Sequence, residues 1–427
     1  MIKRYERYKD SGVEWIGEIP EGWGVKKLKY VARIHTEKAE NGVEKVALEN
    51  IESKTGRFIE TETAFDGDGV GFKKGDILYG KLRPYLAKVW VAKFDGAAVG
   101  DFFVIRTQQD FFSDYLKYRL LTVEFTDIAD GSTFGSKMPR VDKDFMSDLF
   151  HAVPPLPEQT AIATFLDRKT AEIDQLIGNK EKLIALYEEE KTTIINYAVT
   201  KGLAPKVRTK PSGVDWLGDI PEHWEVKRLG HIFKVVRGAS PRPAGSPLFF
   251  GGDHTPWITV AELTKDNKKF LTETTEFLTE EGRNQSRFIS PETLLLSNSG
   301  ATLGVPKITR IGGCINDGSV AFLNTPSEID KSFFYYFLAS LTKLLREIVQ
   351  ISGQPNLNTD LVKDIKVGLP PFAEQTAIVA YIETECSRLD TIIDRFKKQI
   401  ELFKDYRTTL ISEVVTGKID VRDEVAA

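Results

Sequence analysis

The chain has 427 residues, 41% apolar and 28% charged, with 58 Lys and Arg against 62 Asp and Glu. Such a composition suits a globular protein with more than one core, and a formal charge of −4 excludes a polybasic coat that binds nucleic acid or membrane by net charge alone. Two cysteines, Cys314 and Cys386, and five scattered histidines exclude a disulfide framework, a Cys-rich zinc site and a paired-histidine hydrolase centre.

Taken in chain order, the first residues, Met1 to Arg7, carry no apolar stretch of signal-peptide type, so a reducing, cytoplasmic setting is expected. The segment Ser11–Leu28 then recurs 201 residues later as Ser212–Leu229, with 12 of 18 positions identical. Alternation in Asp76–Tyr79 and Ala98–Ile105 predicts strands, and Asp114–Leu121 predicts a short helix. The motif Pro154-Pro155-Leu156-Pro157-Glu158-Gln159 closes this stretch and returns as Pro370-Pro371-Phe372-Ala373-Glu374-Gln375, 216 residues on. The growth of the offset from 201 to 216 places 15 extra residues between the two motifs of the second half. That half echoes the first with predicted strands at Thr293–Leu296 and Gly318–Leu323 and a helix from Phe333.

Each Pro-Pro motif opens a predicted long helix that ends at a glycine, Gly202 or Gly417. Ile382, Leu389, Phe396, Phe403 and Leu410 fall seven apart without a break. Leu166, Ile173, Lys180, Tyr187 and Ile194 do the same in the first helix, interrupted by the lysine. Leu176, Leu183 and Ile392, three residues further on, are the expected companion positions. About 40 residues make a rod of roughly 60 Å. Two striped rods in one chain are expected to pair as an antiparallel coiled coil. The resulting segments are 1–153, 154–203, 204–368 and 369–427, alternating a compact domain with a long helix.

Counted by segment, bases and acids number 24 and 25, 6 and 8, 20 and 18, and 8 and 11, so the helices hold the negative charge. Within the domains bases cluster. Lys73 to Lys93 holds six bases and one acid, and Val226 to Gly252 holds five bases and none. Gly80-Lys81-Leu82-Arg83-Pro84-Tyr85 and Arg237-Gly238-Ala239-Ser240-Pro241-Arg242-Pro243 set such bases in loops shaped by glycine and proline, which suits phosphate and base-edge contacts. Catalytic patterns fail. Gly131–Met138 lacks P-loop spacing, and Leu369-Pro370-Pro371-Phe372 lacks the polar side chain that binds an amine in amino-methyltransferases. In Asp219, Glu225 and Lys227, which look like a nuclease triad, the acid Glu225 is replaced by Gly24 in the first repeat. A self-sufficient methyltransferase or nuclease is thereby disfavoured, and basic, aromatic-bearing loops disfavour a pure coiled-coil scaffold.

Two domains, each ending in Pro-Pro-Leu/Phe-x-Glu-Gln and a long helix, resemble the specificity subunit of type I restriction–modification enzymes. Gly17-Glu18-Ile19-Pro20-x-x-Trp23, Val46–Glu52, Leu78–Leu86, Leu296–Gly304, Thr200-Lys201-Gly202 and Thr416–Ile419 carry the resemblance across essentially the whole chain. It implies an α+β architecture in which two duplicated α/β target-recognition domains are separated by two long antiparallel helices forming a coiled coil, with pseudo-two-fold symmetry. Each domain would read half of a bipartite site in double-stranded DNA, and the helices would set the spacer and dock two modification subunits. Those partners would bind S-adenosylmethionine, and restriction subunits using ATP and Mg would join for cleavage. This chain would be no enzyme by itself, hold no cofactor or metal, and work in a bacterial or archaeal cytoplasm, away from membranes.

The expected DNA-contacting residues are Lys81, Arg83, Tyr85, Lys88, Lys137 and Arg140 in the first domain. In the second they are Arg237, Arg242, Asn298, Ser299, Thr302, Lys307, Gln354, Asn356 and Asn358, since Arg, Asn and Gln can bond guanine or adenine edges in pairs. Trp15, Trp23, Trp216 and Trp224 are expected to pin the domain entrances as core.

Overall fold

The computed structural model describes residues 3–424 apart from 41, 62–64, 66, 110, 134–136, 205, 301 and 353–355, and leaves the side chains of 351 and 352 aside. The chain divides into two compact units, residues 1–181 with 396–427, and residues 182–395. The central helix, Leu156–Lys201, and the distal helix, Phe372–Val415, each contribute to both units.

In the first unit a four-stranded antiparallel sheet runs Ala32–His35, Phe102–Thr107, Ile77–Gly80, Val89–Val91. Alternating apolar residues make it two-faced. Ile77, Tyr79, Val89 and Ile105 join the core with Tyr115, Leu116 and Phe125 of the helices Ser113–Leu120 and Val123–Gly131. Leu78, Trp90 and Val104 face a smaller apolar cluster with Val46, Ile51 and Phe72.

The second unit repeats this order with Lys234–Arg237, Ser319–Leu323, Leu294–Ser297 and Pro306–Thr309. A fifth strand, Phe270–Leu271, is then added parallel to Pro306–Thr309. The register identifies equivalent positions, because Gly80 faces Phe102 where Ser297 faces Ser319. The first sheet strands still keep the offset of 201, so the extra length falls before Leu294, in the part of the chain that forms the fifth strand.

The repeated motifs are structural joints. Gln159 is buried at the start of the central helix; its Oε1 accepts from the Phe112 amide at 2.9 Å and its Nε2 donates to the Pro154 carbonyl at 2.8 Å. Gln375 does the same with the Asp330 amide at 2.9 Å and the Pro370 carbonyl at 2.9 Å. One amide thus supplies an acceptor to an otherwise unpaired N–H at a helix start and caps the preceding strand's exit. The neighbouring acids anchor the entrance segments: Tyr5 donates to Glu158, and His223 Nε2 lies 2.7 Å from Glu374. Trp23 and Trp224 are core, as expected, whereas Trp216 is partly open to solvent. Gly202 and Gly417 end the helices with φ of +74° and +77°. A Cβ at Gly417 would sit 2.5 Å from the Pro20 ring and 3.1 Å from Trp23, and one at Gly202 would meet Trp224 at 3.2 Å. Left-handed backbone and close approach together require glycine at both.

Within each unit the two long helices pack antiparallel. In the first, Asp174 lies 3.3 Å from Arg407, and Leu166 and Ile173 share a core with Leu410, Ile411 and Val414. Lys180, which interrupts the apolar column, bonds Gln399 at 2.8 Å and lies over the rings of Phe396 and Phe403, 4.9 and 5.8 Å from their centres. A cation over aromatic faces takes the place of a missing leucine. In the second unit Lys191 pairs with Asp390, and Ala198 and Val199 share a core with Ile378 and Ile382. Of the expected stripe, Leu166, Ile173, Ile382, Leu389 and Leu410 are buried, and Tyr187, Ile194, Phe396 and Phe403 are half-buried.

The companion column departs from expectation. Leu176 and Leu183 are 45% and 39% exposed, whereas Ile392 is half-buried. The inward positions lie four residues after the first column: Thr170, Ile177, Ile184, Lys191 and Ala198 in one helix, and Ile393, Ile400, Arg407 and Val414 in the other. The spacing still alternates three and four, but in the opposite phase. Among the described residues no helix is long and apolar enough to cross a membrane.

Candidate nucleic-acid interface

The strand end Gly80–Arg83 and its counterpart Ser297–Gly300 build the same backbone lattice from different residues. The Lys81 amide donates to the Asp101 carbonyl at 2.9 Å, and the Lys81 carbonyl accepts from Val141 at 3.1 Å. In the second domain the Asn298 amide donates to Gly318 at 2.9 Å, and its carbonyl accepts from Leu357 at 2.8 Å. Single bridges, Leu82 with Arg140 and Ser299 with Asn356, complete each lattice. Lys81 and Asn298 are therefore equivalent, as are Arg140 and Asn356. Asp142 and Asn358, two residues beyond the latter pair, both cap the helix that follows.

In the first domain Arg140 binds Asp101 with both arms, Nε to Oδ1 at 2.9 Å and Nη2 to Oδ2 at 2.8 Å. Hydrogen bonds from Arg140 hold the Asp101 carboxyl below its usual range, against the opposing effect of its partial burial. Lys81 Nζ lies 3.8 Å from Asp101 and 5.7 Å from the Phe103 ring centre. Arg83 takes a left-handed conformation, φ +51°, which turns the chain into the short helical turn Pro84–Leu86. Arg83, Tyr85 and Lys137 are exposed. Lys88 is turned inward, with its ammonium on the Leu48 carbonyl at 2.6 Å.

In the second domain one segment, Arg237 to Arg242, folds onto Asp317. Arg237 Nε donates to its carbonyl at 2.6 Å, Ser240 Oγ to Oδ1 at 2.7 Å, and Arg242 Nη2 to Oδ2 at 3.3 Å. The Ser240 hydroxyl above all keeps the Asp317 carboxyl below its usual range. Asn298 is 1% exposed, and neither end of its amide has a hydrogen-bond partner among the described residues. Ser299 and Asn356 are half-buried. The Thr302 carbonyl accepts from Ser297 Oγ at 2.7 Å. Asn358 spends its side-chain oxygen on the Leu361 amide at 2.8 Å. Gln354 lies outside the described residues.

Lys307 is a correction. It is 1% exposed, and its ammonium meets the Asp266 carbonyl at 3.0 Å, the Asp266 carboxylate and the Lys268 carbonyl. A strand-interior lysine with three internal acceptors is a structural pin, because freeing it would leave those groups unpaired. Its place between apolar neighbours gives no sequence sign of this. Asp101 and Asp317, which sequence reasoning missed, organise both sites. Their signal is a Gly-Asp or Asp-Gly pair, which marks a tight reversal; Gly100-Asp101 breaks the strand expected at Ala98–Ile105 into Gly96–Val99 and Phe102–Thr107.

The family model of the type I restriction modification DNA specificity domain matches this chain twice, at residues 20–185 and 221–402. The chain belongs to that family and carries its domain in two copies. It is 27% identical over 328 residues to the type I restriction enzyme MjaVIII specificity subunit of Methanocaldococcus jannaschii, which spans 72% of this chain and 71% of that one. Among solved structures, it is similar to a chain of a type I R-M system studied for complex assembly and conformational transition, with TM-score 0.74, 17% identity, and coverage of 93% of this chain and 98% of that chain. It is also similar to the HsdS subunit from Thermoanaerobacter tengcongensis, with TM-score 0.56, 17% identity, and coverage of 94% and 98%. Both likenesses are likenesses of fold.

Proposed function

We propose that this chain is the non-catalytic DNA-recognition subunit of a type I restriction–modification complex, and that each domain reads one half of a two-part duplex site. The observation that carries this reading is the shared lattice at the strand ends. The same backbone bonds hold Lys81 and Arg140 in one domain and Asn298 and Asn356 in the other. One scaffold with two sets of side chains is what two half-sites of unlike sequence require. The contacting set is Lys81, Arg83, Tyr85, Lys137 and Arg140 in the first domain, and Arg237, Arg242, Asn298, Ser299, Thr302, Asn356 and Asn358 in the second. The 46-residue central helix and 44-residue distal helix set the spacer. Modification subunits, which bring S-adenosylmethionine, and restriction subunits, which bring ATP and Mg, are the partners, and the bacterial or archaeal cytoplasm is the setting.

The test is an exchange of residues 1–153 for the first domain of another family member. In cells with the complete system, mapped adenine methylation then changes in one half-site alone. A change in both halves, or in neither, would refute the assignment of one domain to one half-site.

A further inference from the structure

The turn that leads into the second strand of the central sheet carries an aspartate in both domains. It stands one residue apart in the two, at Asp101 in Gly100-Asp101 and at Asp317 in Asp317-Gly318. Each aspartate holds an arginine from a different loop. Arg140 comes from the segment before the helix Lys143–Asp148, and Arg242 from the loop after the strand Lys234–Arg237. Pairs this open to solvent add little to stability. What they fix is direction, through two bonds at Asp101 and through one, at 3.3 Å, at Asp317. A guanidinium has five N–H groups, and Asp101 takes Nε–H and one on Nη2. This side-on grip leaves free the outer edge, where Nη1 and Nη2 present two parallel N–H groups. That edge matches the O6 and N7 acceptors of guanine in the major groove. Restraint in the free protein also removes rotamer freedom that would otherwise be lost on binding. A carboxylate beside the arginine repels phosphates as well, so the pair disfavours sequence-blind contact with the DNA backbone.

We propose that Asp101 and Asp317 are positioning residues, each aiming an arginine, Arg140 and Arg242 respectively, at a guanine in the half-site of its own domain. The proposal rests on the reading of the domains as half-site readers.

The experiment expresses the full chain with its complete system in a host free of other adenine methylation and maps methylated sites genome-wide. Purified variants are melted in parallel. Arg140→Ala and Asp101→Ala are expected to relax the same guanine-containing base pair of one half-site, each lowering discrimination there about tenfold. The double variant should go no further, Asp101→Glu should retain the wild-type preference, and melting should stay at the wild-type value. Asp317→Ala and Arg242→Ala should behave alike in the other half-site.

If wild-type chain yields no two-part motif, the half-site reading itself fails. If it does, the proposal is overturned should Asp101→Ala leave the motif intact, relax a position different from that of Arg140→Ala, or abolish methylation while melting normally. Should Asp101→Ala fail to fold, Asp317→Ala decides, on the same outcomes.

Discussion

At the scale of single residues, the two copies differ most in what they bury. Trp15 lies against Arg119, whose guanidinium centre is 4.8 Å from the ring, and the repeat partner Trp216 lies 6.0 Å from Phe337. Register likewise matches His151 to Val367. Arg119 and His151 are both fully buried, and their side-chain nitrogens lack hydrogen-bond partners among the described residues. Burial, with Arg119 adding to it, pushes the His151 pKa down to about 3 from an ordinary value near 6.5. The unfolded chain therefore binds a proton that the native imidazole refuses. Stability from this group is complete above pH 6.5 and falls as pH drops through the window from about 6.5 to 3, by up to about 1.4 kcal/mol per pH unit. Denaturant titrations across that range should show the slope, and His151→Val should flatten it. Gln375 makes a separate case. Its replacement by alanine leaves the Asp330 amide and the Pro370 carbonyl unpaired in the core, at an expected cost of about 1–3 kcal/mol. Urea unfolding would read it.

At the scale of elements, strands and helices were legible where periodicity was strong. Leu294–Ser297, Ser319–Leu323 and Ser113–Leu120 stand where alternation or helical spacing placed them. The phase of the helix seam was not. Polar residues, Thr170, Lys180, Lys191 and Arg407, occupy inward positions, so a count of apolar residues alone hides the column four residues on. What makes those residues tolerable, such as Asp174 beside Arg407 or two rings under Lys180, comes from the other helix and cannot be read from one helix's own sequence. The phase has a direct test. Ile400→Ala should cost about 2–4 kcal/mol in denaturant unfolding. Leu176→Ser should stay within about 0.5 kcal/mol of wild type. The opposite ranking would restore the rejected phase.

At the scale of the molecule, duplication was the most legible feature, because Ser11–Leu28 and the Glu-Gln motifs are retained in sequence. The candidate sites were legible in part. Lys81, Arg140, Asn298 and Asn356 show their donor chemistry in sequence, and strand pairing sets them at two equivalent pairs of positions. The aspartates that gather the arginines lack that chemistry, since a carboxylate offers no donor to DNA. A net charge of −4 also predicts how the whole chain associates. With attraction confined to local basic loops, affinity for a specific duplex should still fall steeply with salt, by roughly 10³ between 50 and 200 mM for about six phosphate contacts. Titrations at graded salt measure that slope, and a flat response would exclude phosphate contact.

The Gln159 and Gln375 bridges carry one more consequence, visible in hydrogen exchange. The amide of Phe112 caps one helix start and that of Asp330 another. Such N–H groups ordinarily face water and exchange quickly. Here each is locked to a buried side chain from a long helix. The two should exchange as slowly as the core strands, each a reporter of whether its domain is still docked on the helix that follows it.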